Sequence, residues 1–135
     1  QFVHGGLSPV LAISQFSVDE INSAFTNKII DALPIDSISK NKKLKFLKGS
    51  QGPIWYRGYF KDPNFTEIQL DGVLKFFNKN HIVVGHTSMK KVESHYNGKV
   101  IVVDSSIKNG EYGEILFVEN GQFSVGDPDG IKRPL

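Results

Sequence analysis

Val3-His4-Gly5-Gly6-Leu7-Ser8-Pro9 lies near the start of the chain, and the remaining residues are organised around this segment. An apolar residue leads into a histidine, two glycines follow, and Ser-Pro supplies a turn signal. This is the pattern of a buried strand whose last side chain projects into a cleft. The glycines let the backbone turn sharply and come close to a ligand. His81-Ile82-Val83-Val84-Gly85-His86-Thr87 has the same grammar: a short β-branched run, a glycine, then a histidine. Two strands that each end in a histidine point to one site fed by strand ends, which is where open α/β sheets place their ligands.

Working outward, the elements alternate and then change character. Ser17 stands three residues before Glu20, the spacing of a capping box. Ile21, Ala24, Phe25, Ile29 and Leu33 then make one helical apolar face that Pro34 ends. Phe65 through Asn80 predicts a second helix with Ile68, Val73, Leu74, Phe76 and Phe77 apolar, and the strand Ile82–Val84 follows it. Helix followed by buried strand is an α/β crossover. Beyond His86, Lys91–Tyr96, the turn signal Asn97-Gly98 and Lys99–Asp104 predict one antiparallel hairpin. Gly113–Val118 and Gln122–Val125 predict another, and Gly126–Leu135 reads as an irregular tail.

The 135 residues amount to one domain or part of one. A net charge of +2 is too small to argue for nucleic acid or a membrane surface. With no cysteine there is no disulfide, zinc-thiolate site or thiol nucleophile in this chain. No apolar run approaches the roughly 20 residues of a membrane helix. Only Gln1, Phe2 and Val3 precede His4, fewer than the about 5–6 residues of an ordinary strand, so the chain is expected to begin inside a strand. Lys40–Lys48 carries five lysines in nine residues. It reads either as an anion or nucleic-acid patch or as a solvated face with Leu44, Phe46 and Leu47 turned inward, and the second reading is favoured.

His4 to Pro9 resembles the HGGLSP motif of PPP-type serine/threonine phosphatases in the calcineurin-like metallophosphoesterase superfamily. Gly85-His86-Thr87 resembles the later GH[TS] motif of bacterial members. Gly52–Tyr59 resembles the segment that carries the family's phosphate-binding arginine. The resemblance runs from Gln1 to about Gln122, and the earlier motifs GDxHG, GDxxDRG and GNHE are absent. It implies that residues 1–135 are a partial metallophosphoesterase domain. The implied fold is α/β: the C-terminal half of a metallophosphatase β-sandwich flanked by helices, with helices first and antiparallel β-hairpins after. The missing N-terminal half of the same domain would then be the chain's partner, and its localisation, bacterial cytoplasm or periplasm, is not readable.

By the same resemblance, His4 and His86 bind one of two divalent metal ions, drawn from Mn, Fe, Zn or Ni, and Arg57 is the catalytic and substrate-binding arginine. The implied reaction is metal-dependent hydrolysis of a phosphomonoester or phosphoprotein. Two histidines cannot hold two metals, so the chain alone is expected to be inactive. From the residues themselves, Arg57 offers a planar fork of donors that matches phosphate oxygens, with Trp55, Tyr56, Tyr59 and Phe60 crowded around it. Asp104 is either a residue that orients a histidine or a turn-capping aspartate. Tyr112 is placed as a substrate contact, and His81 and His95 are taken as structural. The rival readings are a non-catalytic binding module on the same fold and a basic nucleic-acid-binding domain working through Lys40–Lys48.

Overall fold

The computed structural model describes residues 1–30, 40–110 and 112–135. The chain divides into two compact units, Val3–Asn80 and Gln1–Phe2 with His81–Leu135.

The Val3–Asn80 unit is helical. Ser8 caps helix α1 (Pro9–Ile13): its hydroxyl accepts from the Leu11 N–H, and Pro9 takes the first helical position, where a missing N–H costs nothing. The Ser-Pro turn signal is thus a helix start. Helix α2 (Val18–Ala24) begins on a full capping box between Ser17 and Glu20 and runs into a π-helical stretch, Phe25–Ile30. Leu33 and Pro34, expected to finish this helix, lie outside the described residues.

Asn41 caps α3 (Lys42–Lys48), which buries Leu44 and Leu47 and stacks Phe46 on Phe16 with ring centroids 5.5 Å apart. A one-turn helix, α4 (Gly58–Lys61), follows Arg57. Thr66 and Gln69 form a second capping box at the start of α5 (Glu67–Phe77), and Asn78 ends it in the left-handed conformation. Helix α5 packs Leu70, Val73, Leu74 and Phe77 inward. Ile68 and Phe76, read as part of the apolar face, are instead 83% and 41% exposed.

The other unit holds two sheets. The first has the strand order β1-β2-β4-β3, where β1 is Phe2–Val3, β2 is Ile82–Val84, β3 is Glu93–His95 and β4 is Val100–Val102. Asn97 and Gly98, both with positive φ, turn β3 back antiparallel onto β4. On its other side β4 runs parallel to β2, with Ile82 opposite Val100 and Val84 opposite Val102. The second sheet is an antiparallel meander of β5 (Ile115–Glu119), β6 (Gln122–Gly126) and β7 (Lys132–Pro134). Val83, Val92, Ile101 and Val125 form the core of this unit.

These strands correct the expected architecture. Both expected antiparallel hairpins form, but not as the C-terminal half of a metallophosphatase β-sandwich: this is a small α/β fold whose central strands β2 and β4 are parallel neighbours. All three residues of each strand are buried, which suits an interior parallel strand covered on both faces. The tail expected to be irregular returns as β7, because Asp127 accepts from the Asp129 and Ile131 N–H groups and turns the chain onto β6. Among the described residues no helix is long and apolar enough to cross a membrane.

Candidate functional site

In the helical unit the structure brings the His4 turn against the arginine segment. The Gly5 and Gly6 N–H groups both donate to the Pro53 carbonyl, at 2.8 and 3.1 Å. A side chain at Gly5 would collide with the Ile54 carbonyl, so the double glycine is required by a backbone approach within the protein. Tyr59 clamps the same turn: its hydroxyl donates to the Leu7 carbonyl at 2.7 Å and accepts from the Leu7 N–H at 3.0 Å. Ser8 adds a bond from its hydroxyl to the Gln51 carbonyl at 2.7 Å. Tyr56 and Tyr59 meet edge to face, and Phe60 and Phe65 pack edge-on against Tyr59. His4 is exposed on this turn, while Arg57 is half-buried with its Nε shut off from solvent. Tyr56, Tyr59 and Phe60, which flank Arg57 in sequence, thus pack into one aromatic wall around Tyr59.

In the other unit, two loops leave adjacent parallel strands. The first, after β2, carries Gly85-His86-Thr87, with His86 in the left-handed region at φ 61°. A non-glycine residue held there costs on the order of 1–3 kcal/mol, and such strain clusters at functional loops. Thr87 is buried and its N–H donates to the Gly85 carbonyl at 2.6 Å. The second loop, after β4, carries Asp104. Its carboxylate accepts from the Ser88 hydroxyl at 3.0 Å and from the Ser106 N–H at 3.2 Å. Asp104 therefore caps its own turn and also ties the His86 loop down. Of the two roles weighed for it, the turn-capping one is visible in these bonds.

Sequence reasoning missed Glu114. Its carboxylate is buried and accepts from the Val92 N–H at 2.7 Å, the Tyr112 hydroxyl at 2.7 Å and Arg133 Nη2 at 2.9 Å. Burial alone pushes this carboxyl up, but the three donors outweigh burial and hold it below the usual carboxylate range. Tyr112 is shifted up, chiefly by donating to Glu114. The only sequence signal was an acid wedged between Gly113 and an apolar run. Tyr112, expected at a substrate, has its hydroxyl committed to Glu114 and its ring 43% exposed. His81 bonds the Gly98 carbonyl through Nδ1 at 2.9 Å and meets Phe123 edge-on, while His95 contacts Glu93 at 3.2 Å.

The metal expectation is corrected. Two divalent ions, with His4 and His86 on one of them, need a convergent donor set. Among the described residues no group of three or more His, Cys, Asp or Glu is placed to hold a metal ion. The assignment of His4 and His86 as metal ligands is withdrawn. The expected inactivity rested on counting those ligands and falls with it.

No family model and no curated protein matches the chain. Three solved structures do. The cold-active protein-tyrosine phosphatase of a psychrophile, Shewanella sp., is 41% identical over 99% of this chain, with a TM-score of 0.92. A point mutant of a cold-active protein tyrosine phosphatase and a 1.1 Å structure of such an enzyme match with the same identity and TM-score. The chain spans about 40% of the length of these structures. All three carry the name protein-tyrosine phosphatase, which displaces the calcineurin-like, serine/threonine-specific reading. They are enzymes, so neither the binding module nor the nucleic-acid domain is favoured. The partner reading named the N-terminal half of a metallophosphoesterase domain, and it is dropped together with that family.

Proposed function

We propose that this chain is part of a phosphatase that hydrolyses phosphomonoesters, with phosphotyrosyl proteins or peptides as its substrate class. The observation that carries this is 41% identity with a TM-score of 0.92 over 99% of the chain to a protein-tyrosine phosphatase. Arg57 is the residue assigned to the phosphoryl group. Its fork of N–H donors can take two phosphoryl oxygens at once, and its charge offsets the charge that grows on them in the transition state. The aromatic wall fixes the backbone that carries it, so little reorganisation is needed when substrate arrives. His4, exposed on the turn bonded to Pro53, is assigned a hydrogen bond to the same phosphoryl group. With no cysteine in the chain, no thiolate of its own can take the phosphoryl. Water attacks phosphorus in this reading, the ester P–O bond breaks, and the phenol and inorganic phosphate leave.

The test is phosphate release from a phosphotyrosyl peptide, with a phosphoseryl peptide of the same sequence beside it. Release from the phosphotyrosyl peptide is expected, and Arg57→Ala should lower kcat/KM by about 10²–10³-fold. Arg57→Lys should recover only part of the loss, because a point charge does not replace a planar fork. No release from the phosphotyrosyl peptide, or an Arg57→Ala enzyme equal to the wild type, would overturn the reading.

A further inference from the structure

The lysine-rich segment is left over from this function, and its geometry is specific. Helix α3 turns Leu44 and Leu47 into the protein and leaves Lys42, Lys45 and Lys48 exposed at three-residue spacing, one row along its solvent face. Lys43 points elsewhere: it bonds Glu20 at 2.9 Å and lies over the Phe16 ring at 5.0 Å. Lys42, Lys45 and Lys48 make no ion pair among the described residues. At about 1.5 Å of rise per residue the row spans about 9 Å, roughly three residues of an extended peptide.

This row is mechanically tied to the arginine segment of the same unit. A side chain at Gly52 would collide with the Leu47 carbonyl, so the loop after α3 lies directly on the helix. From Gly52 the backbone bonds run to Gly49, Trp55 and Tyr56, and Arg57 follows. Trp55, the only tryptophan of the chain, is 50% exposed on that loop.

We propose that Lys42, Lys45 and Lys48 form a docking ridge for an acidic polypeptide segment flanking the phosphorylated residue of the substrate. This inference rests on the phosphatase reading above. Charge complementarity identifies the occupant: three ammonium groups in a row, without an ion pair among the described residues, suit Asp and Glu side chains of an extended chain. Such contacts steer encounter and select among substrates more than they change the chemical step.

Trp55 fluorescence reports the binding directly. An unphosphorylated Glu-rich peptide should change its emission and bind at least about tenfold more tightly than a Gln-substituted peptide of equal length, with the advantage fading at high salt. Lys42→Gln/Lys45→Gln/Lys48→Gln should lose that advantage, and the three Lys→Arg changes should keep it. In turnover, the Gln variant should raise KM for an acidic phosphotyrosyl peptide and leave para-nitrophenyl phosphate hydrolysis unchanged. Equal binding of the two peptides, or a Gln variant that binds like the wild type, overturns the ridge. A single-stranded oligonucleotide that binds more tightly than the acidic peptide overturns it in favour of nucleic acid. If acidic-peptide binding follows the lysines but no phosphotyrosyl peptide is hydrolysed, the ridge stands and the phosphatase reading fails.

Discussion

The turn that carries His4 and the loops around Glu114 are held in opposite ways. The first is fixed by shape: glycine against carbonyl, two N–H groups on the Pro53 carbonyl, and a tyrosine that both donates to and accepts from Leu7. The second is fixed by one buried charge with three donors converging on it. A region locked by shape tolerates no added atoms but is indifferent to pH. A region locked by charge is weakened even by an isosteric side chain that lacks the charge, and it depends on ionisation.

The largest expected effect breaks the shape lock. Gly5→Val drives a branched side chain into the Ile54 carbonyl and should cost about 3 kcal/mol, combining overpacking with weakened bonds to Pro53. Urea unfolding should show the same loss at pH 5 and pH 8, and a loss that varied with pH would break the comparison. Next comes Glu114→Gln, expected to cost about 1–3 kcal/mol because the charge-assisted bonds to Val92 and Arg133 weaken.

The sign of the pH effect follows from the lowered carboxyl of folded Glu114. Its contribution is present above the unfolded value of 4.5 and is lost as pH falls through the lower folded value. Acidification from pH 5 should therefore close the gap between Glu114→Gln and wild type, and a gap that widened would contradict the charge lock. The smallest effect belongs to Tyr112→Phe, which removes one exposed donor. Because folded Tyr112 is raised, its contribution is present below pH 10 and fades only as pH climbs through the folded value. The two proteins should unfold at nearly the same urea concentration at pH 7, and any difference should shrink further at alkaline pH.

The sequence declared those features that are local. Ser17 with Glu20, the β-branched run at Ile82–Val84, and Asn97-Gly98 carry their own geometry in a few residues. Non-local features were hidden. Nothing in Val100–Val102 says that its second neighbour is the parallel β2, since the hairpin turn beside it explains the strand equally well. The Glu114 hub joins residues 19 and 22 positions away, beyond any helical or strand period. The metal reading failed for the same reason. A histidine after a strand and a glycine is a local pattern, whereas a metal site is a convergence that spacing does not encode. His4-Gly5-Gly6 was legible as a close backbone approach, but the partner approached is the Pro53-Ile54 backbone of the protein itself.

The third strand of the meander has a consequence for hydrogen exchange. Strand β7 is short and fully exposed, joined to β6 across Ser124–Gly126 and anchored sideways by Arg133 on Glu114. Elements with few buried contacts open at a small fraction of the global unfolding free energy. The Leu135 amide, bonded to the Phe123 carbonyl, should then exchange long before that of buried Val83. Each such opening withdraws one of the three donors from Glu114, so the ready opening of a surface strand sets how often a buried charge is left short of a partner.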